Sequence, residues 1–109
     1  CDAEEARKAT YAAAFYKGPV YLRFAREKTP LMTTAKTPFE IGTANLFFTS
    51  EKPRVAIIAT GPLVYNALTA AKELKERGIG TLVLNLHTIL TQRPVVIILN
   101  STLLQRIYR

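Results

Sequence analysis

Soft metal donors are almost missing from this chain. Among its 109 residues cysteine, histidine and methionine occur once each, as Cys1, His87 and Met32, and tryptophan does not occur. One cysteine cannot close an intrachain disulfide, and one cysteine with one histidine cannot build a zinc site, so a reducing compartment, the cytoplasm, is the expectation. Neither a secretory leader nor a membrane span is legible. Aliphatic runs such as Val95–Leu99 are far shorter than the ~20 residues that cross a bilayer. Acidic side chains are scarce as well, eight against fifteen lysines and arginines, which leaves a net charge of +7.

A basic balance invites a nucleic-acid partner, because cationic surfaces collect phosphates by releasing counterions. The arrangement argues against one. Residues 1–52 carry eight basic and six acidic side chains, and the remainder carries seven basic ones with only Glu73 and Glu76 to answer them. Those basic residues are dispersed and lack the interleaved aromatics of a stacking platform. Binding to neither nucleic acid nor membrane is expected. The chain starts at Cys1 and its one methionine is Met32, so it reads as a piece of something longer.

What is present is a globular composition, 49% hydrophobic, organised in two periods. "CDAEEARKATYAAAFYK" reads as a helix: Asp2 caps it, Glu5 answers as in a capping box, and Ala6, Ala9, Ala13 and Tyr16 make a small-residue inner face suited to a close approach to a sheet. Gly18 and Pro19 break it. In "VYLRFAR", Val20, Leu22 and Phe24 alternate with Tyr21, Arg23 and Ala25 as on a two-faced strand. "EKTPLMTTAKTPF", with two prolines and four threonines, has no sustained period and reads as a linker. "EIGTANLFF" suggests a strand and "TSEKP" a turn. "RVAIIAT" is so continuously apolar that it is expected to be covered on both faces. Val64, Ala67, Leu68, Ala71 and Leu74 then recur at helical spacing, Gly78 closes that helix, and "TLVLNLHTI" is another buried strand. Strand, helix, strand in this order makes a right-handed βαβ crossover.

The corner at Gly61 raises the question of a phosphate site, since a helix N-terminus presents unpaired N–H groups. A dinucleotide turn needs G-x-G-x-x-G, and a P-loop needs a lysine followed by serine or threonine. "ATGPLVY" has one glycine and no lysine, and Gly78 and Gly80 follow a helix instead of opening one. Gly61 therefore reads as turn punctuation in a scaffold. His87 ends its strand with no second catalytic group identifiable beside it, and reads as a hydrogen-bonded structural histidine.

"RVAIIATGPLVYNALTAAKELKERGIGTLVLNLHTI" resembles the first βαβ unit of the C-terminal domain of transketolase-type enzymes. Upstream, "GPVYLRFARE" resembles the last strand of that family's pyrimidine-binding domain, and "FEIGTANLF" resembles the entry to the C-terminal domain. The resemblance implies an α/β fold, an incomplete three-layer αβα sheet with a βαβ unit. It divides the chain into the tail of a pyrimidine-binding domain (1–26), a linker (27–40), the start of a C-terminal domain (41–89) and a divergent tail (90–109). Deoxyxylulose-phosphate synthases and the beta subunits of 2-oxoacid dehydrogenases share this domain order, and "ATGP" with "NLHTI" looks most like separately encoded transketolase C-terminal subunits.

Intact members move a two-carbon ketol unit between sugar phosphates with thiamine diphosphate and Mg2+. The resemblance places the cofactor and metal ligands, and the activating glutamate, in segments not matched here, so no catalytic, cofactor-binding or metal residue is assigned and this chain alone is expected to hold neither group. The implied partner is a complementary thiamine diphosphate-binding subunit in a dimer or heterotetramer. The one contact carried over is Arg26, which matches the arginine that holds the substrate phosphate. It would sit at the carboxyl end of a strand, where open α/β sheets bind ligands, with a guanidinium fork suited to phosphate oxygens. Arg23, three residues earlier, reads as a solvated arginine.

After "HTI" the family continues with lysine, proline, an aliphatic residue and aspartate. This chain reads "LTQRPVVIILNSTLLQRIYR", the kind of change that a shifted reading frame, an erroneous assembly or a natural divergent ending produces. "VVIIL" is a short, uncharged, β-prone window of the kind that aggregates. The competing reading is a small basic α/β interaction module without catalysis, binding a partner through an apolar C-terminal edge.

Overall fold

The computed structural model describes residues 1–89. The elements run α1 (Ala3–Phe15), β1 (Asn45–Thr49), β2 (Val55–Ala59), α2 (Leu63–Glu76) and β3 (Thr81–Asn85). The strands form one mixed sheet in the order β1-β3-β2, with β2 parallel and β1 antiparallel to β3. The fold is thus small α/β with the expected parallel βαβ unit, β2-α2-β3. A bulge between Leu46 and Phe48 interrupts the β1 register.

α2 lies on the sheet because its apolar spacing gives one continuous face. Val64, Ala67 and Ala71 are buried, and Ala67 and Ala71 meet Val83 in a core that Phe48, Ile57, Ala59 and Leu68 flank. Its ends are set by glycines. Gly61 turns the chain at φ +58, a conformation that costs other residues energy. At the far end Gly78, at φ +74, lets the Ile79 N–H reach the Leu74 carbonyl at 2.9 Å while its own N–H reaches that of Lys75 at 3.0 Å. These two bonds are a Schellman motif.

Three expectations change. β2 is half-covered, with Val55 and Ile58 exposed, because it lies at the edge of the described sheet, and the fully flanked strand is β3. "EIGTANLFF" becomes a strand only from Asn45: Gly42 sits at φ +94, and the Thr43 N–H closes a turn on the Glu40 carbonyl at 3.3 Å. Residues 20–25 run without helix or strand, and Val20, Tyr21 and Phe24 are exposed. Alternation marks two faces, but a strand also needs a ladder partner, and none of the described strands pairs with this stretch.

α1 is capped as its sequence dictates, the Asp2 carboxylate accepting the Glu5 N–H at 2.9 Å. Its small residues do not lie along the sheet. Ala6, Ala9 and Ala13 are half-buried and Tyr16 is exposed. The helix is instead strapped to the segment after residue 31. Asp2 also accepts the N–H groups of Met32 and Thr33, each at 2.6 Å, and the Thr33 hydroxyl at 2.7 Å. Lys8 donates to the carbonyls of Thr34 and, at 2.6 Å, Thr37. Burial by itself raises the Asp2 carboxyl, but the hydrogen bonds from Glu5, Thr33 and Met32 outweigh it and bring it from 3.8 down to about 2. A depressed carboxyl contributes stability that is complete above its unfolded value and is lost as pH falls from about 4 towards 2. Asp2→Asn is therefore expected to cost about 1–2 kcal/mol at neutral pH and to flatten the acid limb of a stability-versus-pH curve measured by urea unfolding.

Candidate functional site

The carboxyl ends of β2 and β3 lie side by side, the Leu86 N–H reaching the Ala59 carbonyl at 2.8 Å just past the ladder. In open α/β sheets this edge is where ligands bind. Polar groups converge there from three parts of the chain. Asn85, fully buried at the end of β3, donates its Nδ2 to Glu5 of α1, itself 6% exposed. His87, two residues on, stacks on Phe39 with ring centroids 4.3 Å apart, and its Nδ1 lies 3.1 Å from the Thr88 hydroxyl. Glu5 also accepts from the Cys1 backbone nitrogen. Two buried atoms, Asn85 Oδ1 and His87 Nε2, have no hydrogen-bond partner among the described residues. Burial lowers the His87 pKa, with the Glu5 carboxylate pulling it up.

His87 is thus the half-buried, hydrogen-bonded residue the sequence suggested. Its neighbours were not legible. Glu5 reads as the answering half of a capping box, yet its carboxylate turns to Asn85 and Cys1. A polar Asn85 inside the apolar run "TLVLNL" was the available signal, since buried polar groups find partners.

Arg26 lies away from this cluster, exposed at a bend that ends the extended stretch, and Arg23 is exposed too. Among the described residues neither makes an ion pair. Nor does Arg26 line the open groove of about 300 Å³ between α1 and residues 35–39. The groove's two cations are engaged, Arg7 by Glu4 at 2.6 Å and Lys8 by the two threonine carbonyls. Among the described residues no group of three or more His, Cys, Asp and Glu could hold a metal, and no helix is long and apolar enough to cross a membrane.

The profile of the transketolase C-terminal domain matches residues 45–95. Transketolase-like protein 2 of Mus musculus is 38% identical over 97 residues, covering 89% of this chain and 16% of that protein. Transketolase-like protein 1 of Bos taurus is 32% identical over 100 residues, 92% of this chain and 17% of its own length. The 6-deoxy-6-sulfo-D-fructose transketolase subunit SqwH of Clostridium sp. (strain MSTE9) is 39% identical over 88 residues, 81% of this chain and 27% of that subunit. The chain therefore spans about a sixth to a quarter of the curated relatives it matches. No solved structure matches. The Gly61 corner and the Schellman turn of β2-α2-β3 lie within the matched stretch, and the chain is a transketolase-type sequence whose residues 45–95 belong to the transketolase C-terminal domain family.

Proposed function

We propose that this chain is a segment of a transketolase-type transferase that moves a two-carbon ketol unit between sugar phosphates, and that it does not catalyse the reaction alone. The observation that carries this reading is the reach of the similarity. Matches of 88 to 100 residues are longer than the stretch from 45 to 109, so they take in the upstream segment together with the C-terminal domain. On this reading residues 1–26 close a pyrimidine-binding domain, 27–40 link it, and 41–89 open the C-terminal domain, with the divergent tail of 90–109 outside the described residues.

Thiamine diphosphate with Mg2+ would supply the carbanion chemistry in the intact enzyme. The described residues do not fit that pair: they offer no carboxylate cluster for a divalent ion and no glycine-rich turn for a diphosphate. What this chain contributes is a substrate contact, the Arg26 guanidinium on the sugar phosphate. The exposure of Arg26 leaves its fork open to phosphate oxygens. The exposed Val20, Tyr21 and Phe24 fit a stretch that finds its ladder partners in the remainder of a larger domain, inside a dimer or heterotetramer and in the cytoplasm.

The purified 109-residue chain is expected to show no turnover of xylulose phosphate and no thiamine diphosphate binding by calorimetry, and activity is expected only on mixing with a complementary cofactor-binding subunit. Turnover by the chain alone would contradict the proposal.

A further inference from the structure

Three parts of the chain meet at one point: α1 through Glu5, the segment before β1 through Phe39, and the end of β3 through Asn85 and His87. Elsewhere α1 is strapped to residues 32–37 by Asp2 and Lys8, whereas α2 covers the sheet. The contacts at Asn85 and His87 therefore join two separately packed units, the strapped helix and the βαβ unit. One of the two contacts, Glu5 with Asn85, is a charge-assisted hydrogen bond. The other is a stack of an imidazole on a phenyl ring.

We propose that His87 is a titratable pin of this joint, holding the strapped helix against the carboxyl end of β3 while neutral and releasing it on protonation. The ring has little capacity to hold a proton in place. Nδ1 is committed to the Thr88 hydroxyl, and Nε2 is buried without a partner among the described residues, so the second N–H of an imidazolium would find no acceptor there and would have to reach water. The charged side chain that acts on the ring is Glu5 on α1, which favours the cation. Its other contacts among the described residues, Phe39 and Thr88, are neutral. Burial outweighs Glu5, so the closed joint prefers the neutral ring. In the open joint the ring would regain its ordinary value of 6.5. Opening is thus favoured as pH falls through about 6.5, increasingly until pH drops below the depressed value of the closed form.

Because His87 is the one histidine in the chain, its Cε1 proton gives a single reporter in an NMR titration of the 109-residue protein. The expected result is a midpoint below the ordinary histidine value, with the backbone amides of Glu5, Phe39 and Asn85 moving at that same midpoint and those of Ala67 and Ala71 unmoved. Phe39→Leu, which loosens the stack, is expected to bring the midpoint back towards the ordinary value. His87→Gln is expected to abolish the coupled amide shifts between pH 5 and 7 while the spectrum stays folded. A midpoint at the ordinary value, amides that do not follow it, or coupled shifts that persist in His87→Gln and vanish only in Glu5→Gln would overturn the proposal.

Discussion

Gly80→Ala is expected to destabilise the protein by ~3 kcal/mol or more, a large part of the 5–15 kcal/mol that a domain has in hand. A methyl group at position 80 would lie 2.0 Å from the Lys52 carbonyl oxygen, 2.9 Å from its carbon and 3.3 Å from the Pro53 Cα. All three are backbone atoms, so no side chain can swing aside to make room. The same residue starts the β2-β3 pairing, its carbonyl accepting the N–H groups of Arg54 at 2.8 Å and Val55 at 3.2 Å. Pushing the turn away therefore pulls the first rung of the parallel ladder apart. Gly78→Ala makes the control. There a Cβ meets open space and only the left-handed backbone, φ +74, resists it, at about 1 kcal/mol. Urea unfolding of the two variants is expected to place the Gly80 midpoint far below that of Gly78. Equal midpoints would mean that the turn at Lys52 and Pro53 yields without disturbing the sheet.

The part of the fold that sequence made legible is the part whose instructions are local. α2 was readable because Val64, Ala67 and Ala71 keep one helical stripe and because Gly78 supplies a stop that few other residues can. Asp2 announced α1 for the same reason. What depended on distant partners was harder. Residues 20–25 have the alternation of a strand and no ladder partner among the described elements, and "VAIIA" is as apolar as a central strand although it ends at the edge of the described sheet. The joint at the end of β3 is least legible of all. Glu5 and Asn85 are eighty positions apart, and nothing in either neighbourhood encodes the other. His87 could be placed at a strand end, but its stacking on Phe39 comes from the path of a segment with no period. Arg26 is proposed from the resemblance, and the structure shows only that it is exposed at a bend.

In the intact enzyme, Arg26→Ala is expected to raise KM for phosphorylated sugars about 10- to 100-fold, the equivalent of losing a charge-assisted, bidentate contact of about 1.5 to 3 kcal/mol. The contact is to a remote phosphate and not to the reacting carbonyl, so it is felt in binding more than in turnover. Unphosphorylated sugars have nothing for the fork to grip and are expected to be almost indifferent. Arg26→Lys is expected to recover part of the loss, since a point charge restores attraction without the planar pair of donors. The measurement that bears most directly on the proposed role is therefore the ratio of kcat/KM for a phosphorylated sugar to that for its unphosphorylated counterpart, compared between wild type and Arg26→Ala. The account predicts that this ratio collapses, with kcat largely retained. An equal fall for both sugars would contradict it and leave Arg26 a structural arginine.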